Sequence, residues 1–106
     1  FISQTGIAEN NARIPVRAFI NQTPNPFGRR TLIDYGVPTT MEVKIVIYNT
    51  LGQVTRKLVD GVVEPGYYTV MWNGLDGDGK RVPEGVYFLR MESKKTTATK
   101  KMVYIK

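Results

Sequence analysis

The chain has 106 residues, a net charge of +6, and neither cysteine nor histidine. That length makes one domain, and the two missing residue types exclude disulfides, thiolate nucleophiles, His-based triads and Cys- or His-ligated zinc together. With 42% hydrophobic and 23% charged residues the composition is that of a globular domain, and no apolar run approaches the roughly 18 residues of a membrane-spanning segment.

Residues 1–13 are polar and without periodicity, and read as a linker to an upstream domain of the same polypeptide; the folded unit is expected over 14–106. The chain opens Phe1-Ile2-Ser3-Gln4, with no Met and no charged n-region of a signal peptide, as expected for a processed product or a piece of something longer. A first strand is predicted from Val16 to Ile20, closed by the turn-rich Asn21 to Pro26. A second alternates Thr31, Ile33 and Tyr35 against Asp34. A third turns Val43, Ile45 and Ile47 inward and leaves Val46 and Tyr48 outside. After the turn Asn49-Thr50-Leu51-Gly52, a short fourth strand runs from Gln53 to Leu58, and Asp60-Gly61 with Pro65-Gly66 brackets the next connection. The fifth places Tyr68, Val70 and Trp72 on one face. The sixth, Val86 to Met91, alternates Tyr87, Leu89 and Met91 against Phe88 and Arg90, and the seventh is Lys101 to Ile105.

No long stretch has helical periodicity. Seven short strands separated by turn signals predict an all-β fold, a seven-stranded antiparallel immunoglobulin-like β-sandwich. A closed barrel is the alternative architecture. Trp72, flanked by alternating apolar residues, is expected at the centre of the core. The positive charge does not form one block: Arg29-Arg30, Arg56-Lys57, Lys80-Arg81, Lys94-Lys95 and Lys100-Lys101 are dispersed pairs, four of them at predicted turns or strand ends. Solvated charge there keeps sheet edges from pairing. With no recognition helix to accompany it, nucleic-acid binding is not expected.

Two constellations invite chemistry. In Asn73-Gly74-Leu75-Asp76-Gly77-Asp78-Gly79-Lys80, the side chains of Asn73, Asp76 and Asp78 offer oxygen ligands for calcium. The same residues make a turn in which Asx side chains bond their own backbone and Gly supplies positive φ. The short ligand set, with Lys80 and Arg81 standing before Glu84, favours the turn, and no other cofactor is expected. The second is a row of aromatics: if Tyr68, Trp72 and Tyr87 face inward, then Tyr67, Phe88 and Tyr104 face outward, to stack sugar rings or, the favoured reading, to pair across strands. Glu9, Asp60, Glu64 and Glu84 fall in loops or the linker, none on an apolar strand face that would raise a pKa, so no catalytic residue and no enzyme is expected.

Six segments in order, Pro24-Asn25-Pro26-Phe27, Thr31-x-Ile33-x-Tyr35, Val43 to Val54, Trp72-Asn73-Gly74-x-Asp76-x-x-Gly79, Gly85-Val86-Tyr87 and Lys101-Met102-Val103, resemble the C-terminal sorting domain (type A) of proteins exported by the bacterial type IX secretion system. That domain is similar to the Ig-like domain of the flagellar hook-capping protein. The chain differs in having Gly28-Arg29 where the pattern often repeats Asn-Pro, and Asn73 where Asp is common. The resemblance implies a non-catalytic module that directs an upstream secreted protein through the periplasm to the cell surface, with the outer-membrane secretion apparatus as partner. It puts the signal motifs at Gly85, Val86, Tyr87 and at Lys101, Met102, Val103. An accessory binding or spacer domain of an extracellular hydrolase, and a hook-capping-type assembly domain, are the alternatives.

Overall fold

The computed structural model describes residues 14–94 and 96–106; the expected linker over 1–13 lies outside them. Seven strands follow one another, β1 (Phe19–Thr23), β2 (Thr31–Val37), β3 (Met41–Tyr48), β4 (Val54–Val63), β5 (Gly66–Trp72), β6 (Gly85–Ser93) and β7 (Thr97–Tyr104). They form two antiparallel sheets, a three-stranded one in the order β1-β2-β5 and a four-stranded one in the order β4-β3-β6-β7. This is the expected immunoglobulin-like sandwich, with its inner faces supplied by the alternating apolar residues of each strand.

The core fills between the sheets. Ile33 from one sheet and Ile45, Ile47, Leu89, Met91 and Met102 from the other are sealed from solvent. Trp72 is buried as predicted, in edge contact with Tyr87 at 5.5 Å between ring centroids. Its indole N–H is not stranded in the apolar interior, because Nε1 donates to the Leu75 carbonyl at 2.8 Å. Tyr68 and Tyr87 each donate a hydroxyl to the carbonyl four residues upstream, Glu64 and Pro83, at 2.6 and 2.7 Å. These bonds pin the chain where it enters β5 and β6, in the manner of a tyrosine corner.

Three strands differ from their predicted extents by more than two residues at one end or both. β1 begins at Phe19, and Val16 stands in solvent. Its pairing with β2 runs through Asn21, Gln22 and Thr23, polar residues that read as a turn in sequence but suit an outer strand. Its start is set by packing: a side chain on Gly36 would collide with the Phe19 ring and with Pro15, so the glycine is the floor on which both lie. β4 runs on through Asp60-Gly61 to Val63, because its ladder with β3 continues to Met41. An outer strand has neighbours on one side only and tolerates residues that a central strand would not. β7 begins at Thr97, before its predicted Lys101. Arg56-Lys57 and Lys100-Lys101 thus lie within the two outer strands of the larger sheet, β4 and β7.

Candidate functional site

The two segments read as signal motifs are side by side. β6 and β7 pair antiparallel with Gly85 opposite Tyr104, Val86 opposite Val103, Tyr87 opposite Met102 and Phe88 opposite Lys101. Strand alternation then sorts them by face. Tyr87 and Met102 point into the core, Val86 and Val103 are half-buried on the outer face, and Lys101 is exposed. Gly85, half-buried at the start of β6, has φ near +145°, a value a side chain rarely adopts. Burial, and after it the neighbouring Tyr104, pushes the Tyr87 phenol above its ordinary pKa, so it is held as the protonated donor to Pro83.

Tyr104 is a correction. The sequence reading put it outward, yet it is almost wholly buried. Its place in β7 is two residues from Met102, on the same inner face, and its ring stacks on Phe27 at 5.1 Å. The hydroxyl reaches the end of the sandwich, where Arg81 Nη1 donates to it at 2.9 Å. Of the other aromatics expected outside, Tyr67 is exposed and pairs with Phe19 at 5.9 Å, and Phe88 is half-buried.

Phe27 ends a Pro-rich segment that follows β1. Pro24-Asn25-Pro26-Phe27 lies along the outer edge of β7 as a strap, parallel to it. Phe27 N–H donates to the Val103 carbonyl at 3.0 Å, and Ile105 N–H donates to the Phe27 carbonyl at 2.9 Å. Two residues earlier the side chain of Asn25 takes over the same work. Its Nδ2 donates to the Lys101 carbonyl and its Oδ1 accepts the Val103 N–H, both at 2.9 Å. A carboxamide carries one donor and one acceptor group, as a backbone residue does, and so can stand in for a strand residue. Pro26 falls between the two β7-facing positions, where a strand residue's N–H would point away from β7; proline there forfeits no ladder bond and offers no donor outward. The strap is anchored at its start by the buried Thr31, whose hydroxyl donates to the Pro24 carbonyl at 3.0 Å and accepts from Gln22 Nε2 at 2.6 Å.

The Asn73–Lys80 segment is built differently. Asp76 Oδ1 accepts the N–H groups of Asp78 and Lys80 at 2.9 and 3.0 Å, and the backbone closes the turn with Asp76 N–H to Lys80 carbonyl at 2.8 Å. These bonds favour the charged carboxylate: the Lys80 amide first, then that of Asp78 and the nearby Lys80 and Arg56 charges, hold Asp76 below its ordinary pKa. Gly79, at φ near +82°, supplies the left-handed residue this turn needs. Arg56 Nη1 and the Gly77 N–H tie the turn to β4, through the Asp76 and Thr55 carbonyls at 2.9 and 3.1 Å. Asn73 and Asp78 are exposed, and among the described residues no three carboxylates gather as they would round a metal.

A family model described as the FlgD Ig-like domain matches residues 30–97. The chain belongs to that family. No curated protein matches the sequence. Among solved structures, this Ig-like chain is similar to latent PorU of Porphyromonas gingivalis, at 17% identity and a TM-score of 0.63 over 83% of its length. It is also similar to PorZ of the same organism, a surface component of the type IX secretion system, at 19% identity and a TM-score of 0.57 over 82%. FlgD of Xanthomonas campestris, which acts in hook capping, follows at 18% identity and a TM-score of 0.54 over 85%. At these identities the likeness is one of fold. The chain spans 9% of PorU, 11% of PorZ and 63% of the X. campestris FlgD chain.

Proposed function

We propose that this domain is a non-catalytic sorting and anchoring module that directs a larger secreted polypeptide to the cell surface by engaging an outer-membrane secretion apparatus. One observation carries the reading. The family match ends at 30 and 97, and the two stretches outside it, the Pro24–Phe27 strap and the Lys101–Val103 end of β7, are bonded to each other. Together they build a corner that presents Val86, Lys101 and Val103 outward beside the strap. The likeness to PorZ, named as a surface component of that secretion system, supports the same direction.

The test is a reporter fused to this domain in a type IX-competent host. Lys101 and Lys106 are exposed, so Lys101→Ala with Lys106→Ala should change stability by no more than about 0.5 kcal/mol. The parent fusion should reach the surface and the double variant should be held in the periplasm. Equal delivery of both refutes the role of the basic residues. Delivery of a fusion lacking 85–106, which removes β6 and β7 altogether, refutes the sorting role itself. The family match favours a second reading, a hook-capping-type assembly domain, which requires flagellar genes beside the full-length gene.

A further inference from the structure

The strap covers only part of β7. Its bonds reach Lys101, Val103 and Ile105. In a strand, alternate residues turn their N–H and C=O to the same side, and the β6–β7 register is unbroken from Thr97 to Tyr104. The residues whose backbone points away from β6 are therefore Thr97, Thr99, Lys101 and Val103. The N–H groups of Thr97, Thr99 and Lys101, and the carbonyls of Thr97 and Thr99, lie on the outer edge ahead of the strap, where no bond from a described residue reaches them. The opposite edge of the same sheet is irregular: β4 breaks register against β3 twice, between Ile45 and Val46 and between Ile47 and Tyr48. Bulges of that kind spoil a template for pairing. The open half of β7 has none.

Charge tells which strand this edge would accept. Lys100 and Lys101 are exposed on it, and Lys94 is exposed on the hairpin that leads into it. The carboxylate across the ladder from Thr97, Glu92, is already engaged by Arg90 at 2.9 Å. Two copies set edge to edge would bring two lysines from each into one small area, which disfavours self-pairing. An acidic strand meets the same lysines with the opposite sign.

We propose that the Thr97–Lys101 edge of β7 is a strand-addition site for an extended acidic segment of a partner protein, which continues the four-stranded sheet up to the point where the strap begins. Backbone bonds would hold the segment and Lys100 and Lys101 would select its charge. The inference rests on the sorting reading and names the chemistry of the partner that such a module engages. Its failure is separable: sorting is read by where a fusion goes, strand addition by binding in vitro.

The probe is a synthetic peptide of alternating Glu and Val, with a Lys–Val counterpart, added to the isotope-labelled chain. The Glu–Val peptide should bind saturably, at least about tenfold more tightly than the Lys–Val peptide, and should weaken in about 0.5 M salt. Amide exchange at Thr97, Thr99 and Lys101 should slow, while that of Val103, already bonded to Asn25, should not change. Thr99→Pro deletes an outward N–H at an edge position, where proline is tolerated, and should weaken binding at least about tenfold. Lys100→Glu with Lys101→Glu should reverse the preference between the two peptides. The amide-exchange pattern in the parent decides the matter even if Thr99→Pro fails to fold. Absence of saturable binding, equal binding of both peptides, full binding by a folded Thr99→Pro protein, or protection confined to residues outside Thr97–Lys101 would each overturn the proposal.

Discussion

The strap corner and the Asn73–Lys80 turn are both made from residue types common in turns, Pro and Asn in one and Asn, Gly and Asp in the other, and they are held together in opposite ways. In the turn, Asp76 bonds amides two and four residues on, so most of the structure is contained in the segment itself. In the corner, Asn25 bonds Lys101 and Val103 from 76 and 78 residues away, and Phe27 packs on Trp72 and Tyr104. The difference shows why similar residues lead to different expectations. A turn closed mainly by its own bonds accounts for its Asp76 and glycines locally. A corner assembled from distant segments depends on the fold, and it exposes the edge of a sheet.

Trp72 joins the two regions, with its ring in the core beside Phe27 and its N–H on the Leu75 carbonyl at the head of the turn. Trp72→Ala should therefore break both, at a cost of about 3–5 kcal/mol in chemical denaturation. A loss below about 1 kcal/mol would mean that the two regions do not share a core. Phe27→Leu keeps an apolar side chain under the strap but loses the stack on Tyr104. It should cost about 1.5 kcal/mol and leave the exchange of the Asp78 and Lys80 amides unchanged. Asn25→Ala should cost roughly 1 kcal/mol and speed exchange at Val103 in particular. If Val103 stays protected, the strap is held by Phe27 alone.

The smallest effect is expected in the turn, and it depends on pH. The folded pKa of Asp76 is depressed, first by the Lys80 amide, so its contribution is fully present above the ordinary carboxylate pKa and is lost as pH falls through the folded value. Exchange at Asp78 and Lys80 should accelerate in that acid window in the parent. Asp76→Asn should abolish the step and leave Val103 unaffected at every pH. A parent with no such step would show that the carboxylate does not organise the turn.

Much of the fold is legible in the strands that are apolar on one face. Ile33, Ile45, Leu89 and Trp72 are where alternation places them, because a strand buried on one face must alternate. The readings that missed concern outer strands and ends. Asn21 to Thr23 look like a turn and are a strand, and Asp60-Gly61 looks like a turn and continues β4, since an edge strand buries too little to need an apolar signal. Tyr104 misled for a related reason. At the end of the sandwich a tyrosine can bury its ring and still bring its hydroxyl to Arg81, so its polarity does not reveal its face.

By itself the sequence determined the all-β class, the inner face of the central strands and the Asp76 turn, all of which follow from contacts within a few residues of each other. It also carried the ordered segments of the corner, without their arrangement. Only the tertiary structure decided that Gly85–Tyr87 lies against Met102–Tyr104, that Asn25 substitutes for a strand residue beside them, and that the strap bonds the outer edge of β7 from the Lys101 carbonyl onward while no described residue bonds the outward groups before it. Those are pairings between segments far apart in the chain. Hydrogen-bonding groups are the same on every backbone unit but proline's, so only the packing of the core, with Phe27 drawn onto Trp72 and Tyr104, settles which of them meet.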